Sequence, residues 1–231
     1  MKNPFRDLTR FELGLWLASV CAVAASYALS GGDLLTMIAS LFGVTALIFV
    51  AKGYVIGQVF SVVFAVAYGI ISLYLRYYGE TITYLCMSMP MSIAAIVAWV
   101  KNPNKGTAEV KVNRLTPRTV AALAALTVVV TVAFYFILRA LGNASLLVST
   151  LSVTTSFAAA ALTCLRSPYY ALVYSLNDVV LIILWVIASV QDIAYLPMVL
   201  CFIMFLANDL YGFYNWRRMQ KRQEKGTLNE S

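Results

Sequence analysis

The chain has 231 residues, of which 61% are hydrophobic and 12% charged, and its mean hydropathy is +0.82. Soluble domains contain about 45–50% apolar and about 25% charged residues, so this composition excludes a soluble domain and predicts an all-helical membrane protein. The chain contains no histidine, the commonest metal ligand and general base. We interpret the net charge of +7 as a signal for membrane orientation and expect no nucleic-acid binding.

Eight apolar runs are long enough to cross a bilayer, which takes about 20 residues. In chain order they cover residues 12–30, 33–51, 54–76, 80–100, 118–141, 145–165, 168–190 and 193–216. Turn-forming pairs such as Gly31-Gly32 and Gly142-Asn143 separate them. No clear cleavage site follows the basic N-terminal residues, so we expect the first run to be retained as a helix.

The distribution of basic residues predicts the orientation. Eight spans place both termini on one side, and that side receives all of the 17 Lys and Arg residues except Arg76 and Arg139. Because positive residues accumulate on the cytoplasmic side, we expect both termini to be cytoplasmic in a bacterial inner or plasma membrane.

A polar loop at 101–117 divides the chain into two similar halves. Each half ends in tryptophan followed closely by a basic residue, at Trp99 and at Trp216. We expect one membrane domain with an extra helix at 12–30, repeat one at 33–100, a linker helix at 118–141, repeat two at 145–216 and a basic tail at 217–231. Two three-helix units joined by one linker helix must run parallel, and such repeats often enclose a site near the bilayer midplane.

Two Asn-Asp pairs, Asn177-Asp178 and Asn208-Asp209, lie inside the last two apolar runs. A charged residue there costs about 2.5–3.5 kcal/mol on insertion scales, so the default interpretation is a functional site. The competing interpretation is that these pairs hold neighbouring helices together. Asp209 either faces a cytoplasmic vestibule or pairs with a basic residue, Arg217 or Lys52.

Aromatic residues accompany these acids. Tyr174 precedes Asp178 by four residues and Trp185 follows it by seven, which places all three on one helix face. Gln58 and Tyr68 are the first-half candidates for the same cavity. At the helix ends we expect an interfacial belt of aromatic residues, formed by Tyr77, Tyr78, Trp99, Tyr214 and Trp216.

The sequence gives little support for a metal site, an ATPase or a protease. The four cysteines occur singly, without a CxxC pair, so we expect no metal site and no cofactor. The chain has no phosphate-binding loop, which excludes an ATPase. Two intramembrane acids raise the possibility of an aspartyl protease, but the Gly-x-Gly-Asp context of the membrane proteases is missing at both positions.

The tracts that carry the acids resemble a known family, the PnuC-type vitamin transporters. These tracts are Tyr174–Trp185 and Phe205–Trp216, joined in the first half by Tyr78-Gly79-Glu80, Met89-Pro90-Met91 and Trp99. The resemblance implies a 3+1+3 helix core like that of the SWEET sugar carriers, assembled as a homotrimer. It also implies facilitated uptake (uniport) of nicotinamide riboside, which a cytoplasmic nucleoside kinase would trap.

The resemblance also implies roles for single residues. Asn208, Tyr211 and Trp216 match the family pattern in the last helix, and Trp185 matches the aromatic residue of the preceding helix. Many members have Asn and Trp where this chain has Asp178 and Tyr174. A deoxynucleoside, thiamine or riboflavin therefore stays open as the substrate.

We expect the substrate to meet three groups of side chains. Trp185 and Tyr174 would enclose the ring, and Asp178 and Asn177 would bind its polar edge. Asn208 and Tyr211 would hold the ribose or carboxamide, with Asp209 nearby.

Overall fold

The computed structural model describes residues 4–30, 34–74, 81–104, 106–142, 146–191 and 196–229. Within these ranges the chain forms eight α-helices, the number that the sequence predicts. They are α1 (Arg10–Ser30), α2 (Leu34–Ala51), α3 (Val55–Tyr74), α4 (Met89–Val100), α5 (Pro117–Ala140), α6 (Leu146–Cys164), α7 (Tyr169–Gln191) and α8 (Leu196–Asn229). The helices α1, α5 and α6, and the segment Thr83–Val100, are long and apolar enough to cross a membrane.

Two helix boundaries differ from the prediction for identifiable reasons. A π-helical turn, Thr83–Ser88, precedes α4, and the Met89 N–H donates to the Tyr84 carbonyl. Pro90 follows directly; its ring disfavours an α-helical turn before it, so the wider turn relieves the clash. At the other end of the chain, α8 continues past residue 216 to Asn229, because Lys, Arg, Gln and Glu favour a helix.

The helices α2 and α6 end in the same backbone geometry. Gly53 N–H donates to Val50 O at 2.9 Å, and Arg166 N–H donates to Thr163 O at 3.0 Å. Both donors have positive φ, 70° at Gly53 and 59° at Arg166, as in left-handed helix caps. Val50 therefore corresponds to Thr163 and Gly53 to Arg166, with the same difference in residue number. The ends of α2 and α6 are equivalent in the two repeats.

Two tryptophans cross-link the repeats at these ends. Trp99, in α4, donates its indole N–H to Thr163 O at 2.9 Å, and Trp216, in α8, donates to Val50 O at 2.9 Å. The ring centroids are 5.4 Å apart and both side chains are completely buried. Each last helix thus binds the first helix of the other repeat, which places a pseudo-twofold axis between the two rings.

This burial corrects the prediction of an aromatic belt at Trp99 and Trp216. Carbonyl groups at helix ends lack the usual intrahelical donor, and here each of the two carbonyls accepts both a cap N–H and an indole N–H. Tyr214 is 62% exposed, as a belt residue would be. Tyr77 and Tyr78 lie outside the described residues.

The loop between the repeats contacts both helix ends. Val110 N–H donates to Gly53 O at 2.9 Å, and Asn113 N–H donates to Arg166 O at 3.0 Å. The extension of α8 covers the loop from the other side, through an ion pair of 2.6 Å between Arg222 and Glu109. The loop is therefore folded against the helix ends on the side of the chain that carries the tryptophan pair.

The first helix, α1, packs across the seam between the two repeats. Trp16 donates to Thr45 of α2 at 3.1 Å, and Asn208 of α8 donates to Ser19 at 2.9 Å. The extra helix thus bonds to both repeats, and any motion between α2 and α8 must involve it.

Candidate functional site

Asp178 of α7 and Asp209 of α8 meet in the core of repeat two. They are 3% and 5% exposed, and their carboxyl groups lie within hydrogen-bonding range of each other. Oδ2 of Asp178 has no hydrogen-bond partner among the described residues. The pair therefore offers an acceptor atom at a buried position.

The acid at position 178 has no acidic counterpart at the equivalent position of repeat one. The shift that maps Val50 onto Thr163 maps Ala65 onto Asp178, and Ala65 is a buried apolar residue. Asp178 follows the start of α7 at Tyr169 by nine residues, about 14 Å along the helix axis. The two repeats are thus similar in backbone but differ in their polar lining.

Asp209 contacts neither of the basic partners that the sequence suggested. Its carboxyl group faces Asp178, whereas Lys52 forms an ion pair with Glu12 at 2.9 Å. The i, i+1 positions of a helix point about 100° apart, so Asp209 faces α7 while Asn208 faces α1.

A row of aromatic side chains, partly buried at Tyr174 and buried at Tyr170, connects the acid pair to the tryptophan pair. Tyr174 lies within electrostatic range of Asp178 and Asp209. Its ring is 6.3 Å from that of Tyr170, which packs edge-on against Trp216 at 5.0 Å. Tyr174 was predicted, but Tyr170 was missed, although it stands one turn before Tyr174. This row lies between the acid pair and the tryptophan pair at the helix ends.

Asn177 faces α6 rather than the acid pair. Its side-chain oxygen accepts from Thr155 at 2.8 Å and from Ser152 at 3.2 Å. This arrangement matches the competing interpretation, in which the residue holds two helices together. Its predicted contact with a substrate stays a prediction.

Asn208 and Tyr211 face α1. Asn208 donates to Ser19, and the Tyr211 hydroxyl donates to Glu12 at 2.7 Å. They share one side of α8 because they are three residues apart, and that side is covered by the extra helix. The structure does not bring them to the acid pair, so their part in binding stays a prediction.

The remaining predicted residues lie apart from one another. Gln58 is buried in α3, and Tyr68 follows it by ten residues, about 15 Å along the axis. The Tyr68 ring packs against Tyr84 at 4.5 Å. One small ring cannot contact both residues. Trp185 lies in α7, but its side chain is outside the described residues, and its role stays a prediction.

Sequence reasoning missed Glu12, which is 2% exposed at the start of α1. It accepts from Lys52 and Tyr211 and also from the Thr9 backbone N–H at 2.6 Å. The Thr9-x-x-Glu12 spacing is a capping box and was the available signal. Glu12 thereby joins α1 to the α2–α3 turn and to α8.

The turn between α2 and α3 also carries Tyr54. Its hydroxyl donates to Asp7 at 3.4 Å. Burial, followed by the nearby negative charges of Asp7 and Glu109, raises the pKa of Tyr54 to about 12. Tyr54 thus contacts Asp7 from this turn, and Lys52 of the same turn pairs with Glu12.

Comparison with known proteins identifies the family. A family model described as nicotinamide mononucleotide transporter matches residues 33–218, well over half of the chain. The chain belongs to the nicotinamide mononucleotide transporter family. The match begins after α1, in keeping with an extra helix outside the repeat core. Members of this family are membrane transporters and not enzymes, so the aspartyl protease interpretation is wrong.

Individual relatives agree with this membership in the nicotinamide mononucleotide transporter family. The nicotinamide riboside transporter PnuC of Neisseria mucosa is 28% identical over 227 residues, covering 96% of this chain and 86% of the relative. The corresponding protein of Haemophilus influenzae is 28% identical over 216 residues, covering 92% of each. A crystal structure of the vitamin B3 transporter PnuC matches with a TM-score of 0.79 and 26% identity, covering 94% of both chains. The predicted family resemblance and fold class are confirmed, and the chain is a multi-pass membrane protein.

Proposed function

We propose that this transporter carries nicotinamide riboside by uniport and that the Asp178–Asp209 pair binds its cationic ring. The observation that carries the proposal is the buried acceptor of Asp178 next to a second carboxyl group and an aromatic ring. Two relatives bear the name nicotinamide riboside transporter, which supports the same substrate here.

The chemistry of the substrate fits this pair. Nicotinamide riboside has a pyridinium ring, a carboxamide and a ribose. Tyr174 offers a ring face, where cation–π attraction contributes about 0.5–2 kcal/mol. Oδ2 of Asp178 would accept from the carboxamide NH₂ group, and the negative charge of the pair would balance the pyridinium. We keep Trp185 as the second wall of the ring site.

Transport would need motion of the cytoplasmic helix ends. Tyr170 and the tryptophan pair lie between the acid pair and the helix ends, so release in this direction would require the two repeats to rock and separate these rings. We propose that the substrate then leaves into the cytoplasm, where a nucleoside kinase traps it. The basic residues near the helix ends support cytoplasmic termini. A homotrimer is proposed from the family resemblance alone.

A deoxynucleoside is the second candidate substrate. A protonated carboxyl group beside an ionised one would offer a donor and an acceptor to a ligand, which suits the edge of a neutral nucleobase. Thiamine, also a cation, and riboflavin remain candidates as vitamins. Competition experiments separate these substrates.

The test is uptake of labelled nicotinamide riboside into liposomes that contain the purified protein. We expect unlabelled nicotinamide riboside to compete and thymidine, deoxyadenosine and riboflavin not to. Asp178→Ala should abolish uptake, whereas Asp7→Asn, an acid change on the cytoplasmic surface, should leave it unchanged. Normal uptake by folded Asp178→Ala would contradict the site, and competition by deoxynucleosides alone would replace the substrate.

A further inference from the structure

A crevice of about 530 Å³ opens at the cytoplasmic end, between the loop and the helices α5, α7 and α8. Its floor is apolar, formed by Leu115, Val120, Leu123 and Leu162. Its rim carries two cations, Arg114 and Arg217. The crevice is distinct from the acid pair, which lies about 14 Å further along α7.

The two arginines differ in whether a neighbouring acid neutralises their charge. Arg114 pairs with Glu224 at 2.8 Å, and both side chains are exposed. Arg217 forms no ion pair among the described residues. Its guanidinium lies 5.8 Å from the centre of the Tyr169 ring and donates to Gln220 at 2.8 Å. Arg217 is thus held in place with donors to spare and with its charge uncompensated.

The position of the crevice matches the headgroup level of a bilayer. Arg217 directly follows Trp216, where the apolar part of α8 ends, and Arg114 precedes the start of α5 at Pro117. The exposed outer side of α5 continues from Val120 into the membrane as an apolar surface. A ligand of this crevice therefore meets a cation at one end and hydrocarbon at the other.

We propose that the crevice binds an anionic phospholipid of the cytoplasmic leaflet, with its phosphate on Arg217 and an acyl chain along Leu123 and Val120. Basic pockets between membrane helices on the cytoplasmic side bind such headgroups. A free phosphate could bind Arg217, but it has no apolar part to pack against the floor of the crevice. The lipid binds independently of which substrate the transporter carries.

The test compares lipid retention and thermal stability of the full chain. Purified protein is titrated with phosphatidylglycerol or phosphatidylcholine, bound lipid is counted by native mass spectrometry, and the unfolding temperature is recorded. Arg217→Gln is the test variant. Arg218→Gln is the matched control, because Arg218 is the next residue, is exposed and does not line the crevice.

We expect the unaltered protein and Arg218→Gln to retain phosphatidylglycerol in preference to phosphatidylcholine. Arg217→Gln should bind phosphatidylglycerol about fivefold more weakly, the effect of one basic residue near the surface. Leu123→Trp, which fills the floor without changing charge, should weaken both lipids. This second variant keeps the test decisive if Arg217→Gln unfolds.

Three results would overturn the proposal. One is equal retention of phosphatidylglycerol by Arg217→Gln and Arg218→Gln. Another is stabilisation by inorganic phosphate as strong as that by phosphatidylglycerol, which would indicate a site for a free anion. The third is an oligomer that retains no lipid, which would indicate that a second copy of the chain covers the crevice.

Discussion

Replacing Glu12 by Gln removes the charge that holds α1 to both repeats. Glu12 and Lys52 have 3% and 11% exposed side chains, so solvent screens this ion pair little. Removing one partner of a buried pair costs about 3–5 kcal/mol. Gln keeps the size of the side chain and can still accept from Tyr211, and Lys52 also donates to Asp7 O at 3.0 Å. We therefore expect a smaller loss, about 2–3 kcal/mol.

The assay is thermal unfolding of the purified protein in detergent. For a chain of this size, 1 kcal/mol corresponds to about 2–4 °C, so Glu12→Gln should lower the midpoint by about 5–10 °C. Glu224→Gln makes the same change in the exposed pair with Arg114, which has side chains 75% and 37% exposed. An exposed pair contributes little, so that midpoint should move by less than about 2 °C. Equal shifts in the two variants would refute the reasoning from burial.

Three further predictions follow from the same contacts. Asp178→Ala should lose uptake in liposomes while its unfolding midpoint stays near that of the unaltered protein; loss of folding instead would indicate a structural role. Trp99→Phe and Trp216→Phe should each destabilise by about 0.5–1.5 kcal/mol, because each loses one buried hydrogen bond to a carbonyl that keeps its backbone donor, and clearly different losses in thermal unfolding would contradict the pseudo-twofold arrangement. Because the folded pKa of Tyr54 is about 12 and the ordinary value is 10.0, ionisation favours the unfolded state as the pH rises from about 10 to 12. The stability lost over that range should shrink in Tyr54→Phe, and an unchanged pH profile would contradict it.

Sequence patterns predicted the eight helices, and they singled out the two acids that meet in the structure. The acids inside apolar runs stood out because charge in hydrocarbon is rare, and Tyr174 followed from helical spacing. The side of α8 that each residue occupies was not predictable, because Asn208 and Asp209 are neighbours that face different helices. Only the position of α1 decides which of them is covered.

In the sequence, the repeat was marked by the polar loop at 101–117, by the tryptophan that ends each half and by a weak match between residues 80–87 and 191–198. Its clearest structural sign is the shared left-handed cap, which uses Gly53 in one half and Arg166 in the other. Backbone geometry is thus the same where the residue types differ, so no sequence match marks it. Burial of Trp99 and Trp216 was missed for a related reason, since their partners are backbone carbonyls of the opposite repeat.

The most direct test of the central claim compares a cation with a neutral molecule of almost the same shape. Calorimetry would measure binding of nicotinamide riboside and of its reduced form, which lacks the positive ring charge. If the acid pair binds the pyridinium, the cation should bind about tenfold more tightly, a difference of about 1.4 kcal/mol, and Asp178→Asn should remove most of that preference. Equal affinity for both forms, or a preference that survives in folded Asp178→Asn, would contradict the assignment of the Asp178–Asp209 pair.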